Sequence, residues 1–457
     1  MKPQHHMFAA KSTNSTLVLP LLALIGFIGV SSVKSQPDGY TYTKIAALGE
    51  TAAGGIQYFF DFEPGQINNR GDVIYVADLS PNGVDGIGEG VFLLSHGQIL
   101  ALSLPEQSAP GGGTFAGAAY SPAGVNDGGD GAAAIQLEPF GNSSGENAGL
   151  YRYSANKNSL SAVVLPNDTK VPGTESKFQG ILFGTSINNR GDICFTGLIN
   201  TNVPLPGTEV IGKGVFVIDK KGNIRKVAMP GDLAPFGKVF DFVEVAWIND
   251  LGDVGFGAHV QGEEFLQDNV YLSKAPSFQI ISIAHQGEPA PGGGMFRHAW
   301  GPILNNSHQV LFVGDLTPAP APRDSLQGLY LYNGSFTVPV VLPRDTLPDG
   351  KMKTVSDYIQ GHHLNNPGEI SFLALLDTGD EVIYVKSGST FRLVAKTGTT
   401  IPNVGTITDF DTFGVDQYGR PSLSGGAINN DRGQVIFSAN LVGGSQALIV
   451  ATPLHGR

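Results

Sequence analysis

The stretch INNRGDICF, residues 187–195, contains the pattern that decides the fold of this chain. An apolar residue and two Asn lead into a short turn with Gly-Asp, and an apolar strand ending in an aromatic residue follows. Similar stretches occur throughout the chain. Their lead asparagines are Asn68, Asn126, Asn188, Asn249, Asn305, Asn365 and Asn430, at spacings between 56 and 65 residues. Seven copies at so regular a period indicate a repeat architecture.

Three further strands are predicted in each repeat. A Gly-apolar-aromatic strand appears as GVFLL from Gly90, GVFVI from Gly214 and GLYLY from Gly328. A short turn and a second apolar strand follow, for example ILALSLP and IRKVAMP. A loop rich in acidic residues, Pro and Gly then leads into an aromatic strand, as in PGDLAPFGKVF. Four short strands per repeat, without helical periodicity, indicate an all-β protein.

The two ends of the chain decide between an open array and a closed ring. The last repeat lacks its final apolar strand, and a strand of that kind, residues 40–48, precedes the first acidic loop. We therefore predict a seven-bladed β-propeller with four antiparallel strands per blade, closed by the N-terminal strand completing the C-terminal blade. The predicted blades span approximately residues 49–105, 106–166, 167–230, 231–286, 287–343, 344–397 and 398–453 plus 40–48.

Composition agrees with this architecture and excludes several classes of protein. The 457 residues include 62 Gly and 29 Pro, about one residue in five, and only 15% are charged. A single Cys excludes a disulfide framework and a cysteine-based zinc site. The net charge of −12 is opposite to that of proteins that neutralise nucleic-acid phosphates. We expect no nucleic-acid partner.

The N-terminal 35 residues have the features of a signal peptide. Lys2 and Lys11 precede an apolar run of 14 residues, 17–30, which is too short to span a bilayer core of about 30 Å. Small residues then surround a potential cleavage point before Gln36. We expect residues 36–457 to form a single propeller outside the cytoplasm, in the periplasm, at the cell surface or secreted, with no stable membrane span after cleavage.

The turn after each lead Asn is interpreted as structural, because Asn tolerates left-handed backbone and Gly supplies a positive φ. No cofactor and no metal site are predicted, although Asn and Asp oxygens leave Ca²⁺ binding as an alternative. A second alternative is an adhesion tripeptide at Arg70-Gly71-Asp72 and Arg190-Gly191-Asp192.

The loops that join successive blades begin with a carboxylate in six repeats. These residues are Glu50, Glu106, Asp168, Asp232, Glu288 and Asp345. In a closed ring all these loops lie on one face, so we predict an acidic rim that favours cations or neutral, hydroxyl-rich ligands. Capping of the loop backbone explains the same residues, and the two interpretations are compatible.

Polar and aromatic residues of the innermost strands are candidates for ligand contact. The ligand-binding candidates are Asp61, Asp241, Trp300 and Asp357. If the protein is an enzyme, its catalytic candidates are Arg297, His298, Tyr358 and His362, because these residue types suit proton abstraction from a uronic-acid sugar. A water-filled polar channel is the alternative explanation.

The repeats resemble a family of bacterial extracytoplasmic tandem-repeat proteins defined by an Asn-x-x-Gly-x-x-x-Phe signature. Full matches are Asn188/Gly191/Phe195, Asn249/Gly252/Phe256, Asn365/Gly368/Phe372 and Asn430/Gly433/Phe437. The resemblance spans roughly residues 40–450 and implies export and a propeller-like architecture, without an established activity.

Three functions are consistent with these features. We expect a secreted, non-catalytic propeller that binds a glycan or a protein partner through its acidic, loop-rich face. The alternatives are a polysaccharide-active lyase or hydrolase with its site at the channel mouth, and a structural protein of the envelope or matrix. The sequence contains no phosphate-binding Gly-Lys-Ser/Thr loop and no His-Glu-x-x-His motif. Its one Gly-x-Ser-x-Gly match, GNSSG at residues 141–145, is not followed by helical periodicity and is therefore not a nucleophile elbow.

Overall fold

The computed structural model describes residues 39–139, 147–200, 211–263, 269–317, 327–356, 358–410, 412–415, 421–423 and 426–454. Strands are numbered along the chain, and those of each blade are called A to D from the axis outward. The predicted signal peptide lies outside the described residues. Among the residues that are described, no helix has the length and apolar character needed to cross a bilayer.

The first described strand, β1 (Tyr40–Ala47), belongs to the last blade, and five four-stranded blades follow it. Blade 1 contains β2 (Gln57–Ile67), β3 (Val73–Ser80), β4 (Gly88–Ser95) and β5 (Gln98–Ser103). Blade 2 contains β6 (Phe115–Val125), β7 (Gly131–Leu137), β8 (Ala148–Ser154) and β9 (Ser159–Val164). Blade 3 contains β10 (Phe178–Ile187), β11 (Ile193–Asn200), β12 (Ile211–Ile218) and β13 (Ile224–Ala228). Blade 4 contains β14 (Phe240–Ile248), β15 (Val254–Val260), β16 (Asn269–Lys274) and β17 (Gln279–Ala284). Blade 5 contains β18 (Met295–Leu304), β19 (Val310–Thr317), β20 (Gly328–Tyr332) and β21 (Thr337–Val341).

The last two blades differ from the prediction of four simple strands, because strand A of each is divided into two pieces. In blade 6, β23 (Gly350–Val355) and β24 (His362–Leu364) both pair with β25 (Ile370–Leu376), followed by β26 (Glu381–Ser387) and β27 (Thr390–Lys396); the short β22 (Thr346–Leu347) pairs with β23. In blade 7, β29 (Gly405–Asp409) and β32 (Ile428–Asn429) pair with β33 (Val435–Leu441), and β28 (Thr400–Ile401) pairs with β29. The two strands β30 (Thr412–Val415) and β31 (Pro421–Leu423) pair with each other and lie between β29 and β32 in the sequence. Two 3₁₀ turns cover Pro235–Gly237 and Ile359–Gly361.

The predicted closure is confirmed. Strand β1 pairs antiparallel with β34 (Ser445–Pro453), from Tyr40 opposite Pro453 to Ala47 opposite Ala447. The N-terminal strand is thus strand D of blade 7, and the protein is an all-β, seven-bladed propeller. This pairing satisfies the backbone groups that an open edge would expose.

Aromatic residues of strands A, B and C hold each blade together. In blade 3 the rings of Phe195 and Phe216 stack with centroids 5.7 Å apart, and Phe178 meets Phe216 edge-on at 4.9 Å. Equivalent stacked pairs occur in blades 1, 4 and 5. Tyr75 of blade 1 also belongs to a buried cluster that includes Ile436 and Leu448 of blade 7.

Bulges interrupt the pairings of strand A and of strand D, but not the pairing of strand B with strand C. In every blade a pairing of strand A with strand B contains register shifts, although the short pieces β24 and β32 pair regularly. Every pairing of strand B with strand C is continuous. Every pairing of strand C with strand D contains a shift. Bulges re-aim side chains and increase the local twist. The innermost strands therefore present residues that a regular strand would direct elsewhere.

Candidate functional site

The turn from strand A to strand B is organised by the side chain of the lead Asn. In blade 3, the Oδ1 atom of Asn188 accepts hydrogen bonds from the backbone N–H groups of Arg190 and Asp192, at 3.1 and 2.9 Å. Its Nδ2 atom donates to the Asp192 carboxylate at 3.3 Å and to the backbone carbonyl of Asn249 in the next blade at 3.0 Å. One side chain thus closes its own turn and holds the adjacent blade.

This contact between blades forms a closed ring. The Nδ2 atom of each lead Asn donates to the carbonyl of the lead Asn in the following blade, and Asn430 donates to the carbonyl of Asn68. The seven distances lie between 2.8 and 3.1 Å. All seven lead residues are buried, so their amides need these partners.

The residue after each lead Asn forms a second ring. Its backbone N–H donates to the side-chain Oδ1 of the corresponding residue in the next blade, at 2.7 to 2.9 Å. The members in order are Asn69, Asp127, Asn189, Asp250, Asn306, Asn366 and Asp431. No two carboxylates are neighbours, and each Asp accepts a hydrogen bond from the side-chain amide of at least one flanking Asn.

The two rings surround a polar cavity of about 120 Å³ on the propeller axis, which His363 and Trp247 also line. The Nδ1 atom of His363 lies 2.9 Å from Oδ1 of Asn429, and its ring meets that of Trp247 edge-on. The side chains of both rings are engaged in hydrogen bonds between neighbouring blades. The rings are therefore best understood as a closure of the propeller at its axis.

The alternative interpretations of this turn can be compared with its geometry. The Oδ1 atoms of the lead asparagines are occupied by backbone N–H groups, as in the Asn249 turn. Among the described residues, no group of three or more His, Cys, Asp or Glu side chains is arranged to hold a metal ion. In both Arg-Gly-Asp tripeptides the Arg is ion-paired with the Asp of its own turn, at 2.7 Å for Arg70 and 2.8 Å for Arg190.

The predicted acidic rim has a local structural role. Carboxylates of Glu50, Asp232, Glu288 and Asp345 each accept a hydrogen bond from the backbone N–H three residues earlier, at 2.8 to 3.2 Å. Lys44 and Lys226 of the preceding strands pair with Glu50 and Asp232. In two loops this cap is provided by the residue after the predicted one: Gln107 beside Glu106, and Thr169 beside Asp168. An effect of the rim on ligands remains a prediction.

The polar candidates of strand A contact strand B or a neighbouring blade. Asp61 accepts a hydrogen bond from Gln446 of blade 7 at 2.9 Å. Asp241 lies 2.6 Å from Nδ1 of His259, and both side chains are buried. Arg297 is ion-paired with Asp315. The candidate Asp357 lies outside the described residues.

The structure directs the four catalytic candidates to different surroundings. His362 is buried, its Nε2 atom lies 2.7 Å from the carbonyl oxygen of Gly301, and burial lowers its pKa to about 4. Tyr358 is 38% exposed and immediately precedes a 3₁₀ turn. Arg297 is ion-paired with strand B, whereas His298 stacks on Trp300 with ring centroids 4.3 Å apart.

The stacked pair lines a second cavity, of about 200 Å³, between blades 4, 5 and 6. Its other walls are Glu244, Val245, Gly257, Gly301 and Ile359. Strand A of blade 5 begins at Met295, beside the loop that joins blades 4 and 5, and ends at Leu304, beside the rings of Asn and Asp residues. His298 and Trp300 therefore lie on the side of those rings that carries the loops between blades. Glu244 pairs with Lys213 of blade 3 at 2.7 Å.

The wall of this cavity contains a strained residue, Val245, and a glycine with positive φ, Gly301. Val245 has a φ of 46°, which is a genuine outlier for a β-branched residue. Gly301 has a φ of 64°, and a Cβ atom there would lie 3.1 Å from the His362 ring. Such outliers persist where the surroundings over-determine them, often at ligand sites. The sequence predicted His298 and Trp300 but not Val245, because nothing in its residue type signals a bulge.

Comparisons with solved structures find remote similarities. It matches the β-propeller domain of the Trilobed protease from Pyrococcus furiosus at 10% identity and a TM-score of 0.48, covering 91% of this chain and 96% of that one. The polysaccharide lyase Uly1 matches at 10% identity and a TM-score of 0.44, covering 92% and 100%. A puromycin-hydrolyzing peptidase of Mycobacterium tuberculosis matches at 10% identity and a TM-score of 0.48, covering 93% and 56%.

A comparison with curated protein sequences finds no significant match. One family model matches residues 25–302 and again residues 235–448, which together include all seven lead asparagines. The chain therefore belongs to the family of unknown function DUF7453.

Proposed function

We propose that this protein is a secreted, non-catalytic binding module whose ligand is a glycan held in the cavity of His298 and Trp300. The observation that carries the proposal is the stacked pair of rings, which forms one wall of a cavity on the loop side of the axial ring. Aromatic faces suit the apolar faces of sugar rings, and the indole N–H offers a polar edge. Glu244, in the same wall, supplies carboxylate oxygens for hydroxyl groups.

Charge favours a neutral glycan over an acidic one. The loops at this side carry Glu288 and Asp345, and the whole chain has a net charge of −12. A negative field disfavours the approach of an anionic polysaccharide. A lyase acting on uronic-acid polymers would need that approach.

The surroundings of the catalytic candidates also favour binding over turnover. The guanidinium of Arg297 is engaged by Asp315, and His362 is neutral because burial lowers its pKa to about 4. A general base is most effective when its pKa lies near the working pH. These two residues support the cavity wall rather than a proton transfer.

The two tryptophans of the chain provide a direct test. In a Trp247→Phe variant the only indole is Trp300, and titration with neutral oligosaccharides is expected to change its emission in a saturable manner. The matched variant Trp300→Phe retains Trp247, whose emission should not respond. We expect Trp300→Phe to weaken binding about tenfold or more, as loss of an aromatic anchor does.

Two outcomes would contradict the proposal. Saturable binding with equal affinity in both variants would exclude the cavity. Release of sugar products that is lost in a His298→Ala variant would establish an enzyme instead.

Secretion rests on the leader and is tested separately. We expect protein recovered from outside the cytoplasm to begin near Gln36, which sequencing of its N-terminus would reveal. Retention of residues 1–35 in the mature protein would contradict cleavage.

A further inference from the structure

A groove between blades 3 and 4 lies on the face of the propeller that carries the turns from strand A to strand B. The loops near the proposed glycan site lie on the opposite face. It has a volume of about 350 Å³, within the range of small-molecule sites. Two guanidinium groups, of Arg190 and Arg225, line it together with an apolar wall that includes Leu251, Pro276 and Phe278. Leu251 and Phe278 are each 43% exposed.

Arg225 lacks a partner for its charge. Among the described residues its guanidinium makes no hydrogen bond or ion pair; it lies over the ring of Phe278, 3.9 Å from the centroid. The equivalent residue of blade 6 is Arg392, since Arg225 pairs with Val217 of its strand C and Arg392 pairs with Val385 of its own. Arg392 pairs with Glu369 at 2.8 Å, and Glu369 is the fourth residue after the lead Asn of its turn.

The reason for this difference is competition for one carboxylate. The fourth residue after the lead Asn in blade 3 is Asp192, and both Nε and Nη2 of Arg190 already donate to it, at 3.0 and 2.8 Å. The other acid of the groove, Asp219, accepts hydrogen bonds from its own turn at Lys221 and Asn223. Because Asp192 is engaged by Arg190 and Asp219 by its own turn, neither carboxylate of the groove is hydrogen-bonded to Arg225.

The apolar wall is held in an unfavourable conformation. Phe278 has a φ of 55°, in the left-handed region that bulky residues avoid. Blade 2 has Asn158 at the equivalent turn position, with a φ of 45°, and Asn is the residue type that tolerates this region. Phe278 therefore places a half-exposed ring over Arg225 where a polar turn residue would relieve the strain. Strain of this kind is a reason to suspect a binding role.

We propose that this groove binds a carboxylate carried on a flat apolar ring. The carboxylate pairs with the guanidinium of Arg225, whose planar fork suits bidentate contact. The ring of the ligand lies against Phe278, Leu251 and Pro276. The site is separate from the cavity of His298 and Trp300, and neither proposal depends on the other.

Benzoate and its neutral isostere benzamide are the probes, with calorimetry on the full chain. We expect benzoate to bind at least tenfold more tightly than benzamide, and Arg225→Gln to remove that preference. Arg392→Gln is the matched control and should leave the affinity for benzoate within twofold. Equal affinities for benzoate and benzamide in the wild type, or an Arg225→Gln variant that still prefers benzoate, would overturn the proposal.

Two further variants separate the contribution of the Arg225 charge to binding from that of the apolar wall. Arg190→Gln should weaken benzoate binding, because Asp192 becomes available to Arg225 as Glu369 is to Arg392. Phe278→Asn should weaken benzoate and benzamide alike while the melting temperature is retained. Glucuronate carries its carboxylate on a hydroxylated ring and therefore tests whether the site requires an apolar ring. If glucuronate binds as tightly as benzoate, the apolar wall is not part of the site.

Discussion

The ring of lead asparagines can be tested by removing one of them. We expect Asn188→Ala to destabilise the propeller much more than Asn189→Ala, although the two residues are adjacent and chemically identical. Asn188 is 3% exposed, whereas Asn189 is exposed and its hydrogen bonds compete with water.

The magnitude follows from the hydrogen bonds that are lost. Asn188 makes four, two of them from backbone N–H groups that the substitution leaves without a partner. At about 1 kcal/mol net for each bond, the expected loss is about 4 kcal/mol. Asn189 makes three side-chain bonds at the surface, for which we expect about 1 kcal/mol in total.

Calorimetric melting measures the difference. Unfolding entropy is about 2.1 cal/mol/K per residue, so a domain of roughly 400 residues loses about 1 °C in melting temperature for each 0.85 kcal/mol. We therefore expect a decrease of about 4 to 5 °C for Asn188→Ala and about 1 °C for Asn189→Ala. Equal decreases in the two variants, or a decrease below about 1 °C for Asn188→Ala, would refute the role assigned to the inner ring.

Three other predictions concern buried titratable groups. Burial lowers the pKa of His362 to about 4, below its unfolded value near 6.5. The unfolded chain therefore binds more protons between these pH values, and stability contributed by neutral His362, up to about 3 kcal/mol, is lost as pH falls through this window. A His362→Gln variant should lose this part of the pH dependence in urea titrations, and an unchanged slope would contradict the assignment. Burial raises the pKa of Glu89 to about 7, so the folded state holds a proton that the unfolded state releases, and stability falls as pH rises from about 4.5 to 7. Glu89→Gln should be up to about 3 kcal/mol more stable than the wild type at pH 8 and show no advantage at pH 4; the opposite order would show that Glu89 is charged in the fold. Burial raises the pKa of the Cys194 thiol to about 12, so a thiol reagent should label the protein at pH 8 only after unfolding. Rapid labelling of the native protein would show that strand B of blade 3 opens.

The repeat itself made most of the fold predictable. Asn, Gly and an aromatic residue at fixed offsets specify a turn followed by a buried strand, and seven copies with one displaced strand specify a closed ring. The division of strand A in blades 6 and 7 was not predictable. Nothing in the sequence of residues 356–361, or of residues 410–427, marks where strand A resumes its pairing with strand B. Local pattern indicates which strands form, but not where a bulge interrupts them.

The site was less predictable because its residues act across blades. The alternation of Asn and Asp after the lead Asn is visible in the sequence, yet its meaning depends on blades being neighbours around the axis. The sequence around Arg225 gave no sign that it lacks the ion pair of Arg392, because the carboxylate it would otherwise use is occupied by Arg190. Charge competition of this kind requires the three-dimensional arrangement.

The contrast between regular and irregular strands explains how one fold can be both rigid and adaptable. The pairing of β1 with β34 closes the outside of the propeller, and the asparagine ring closes it at the axis. Because the blades are held together both at the outer edge and at the axis, the A strands do not need uninterrupted hydrogen-bond ladders for this purpose. They can carry bulges such as the one at Val245, where a strained backbone shapes a cavity. Breaking the inner ring should therefore loosen this cavity before it unfolds the propeller, so Asn249→Ala should weaken glycan binding at temperatures where the far-ultraviolet spectrum is still native. An unchanged affinity up to the melting transition would show that the cavity is held by its own blade alone.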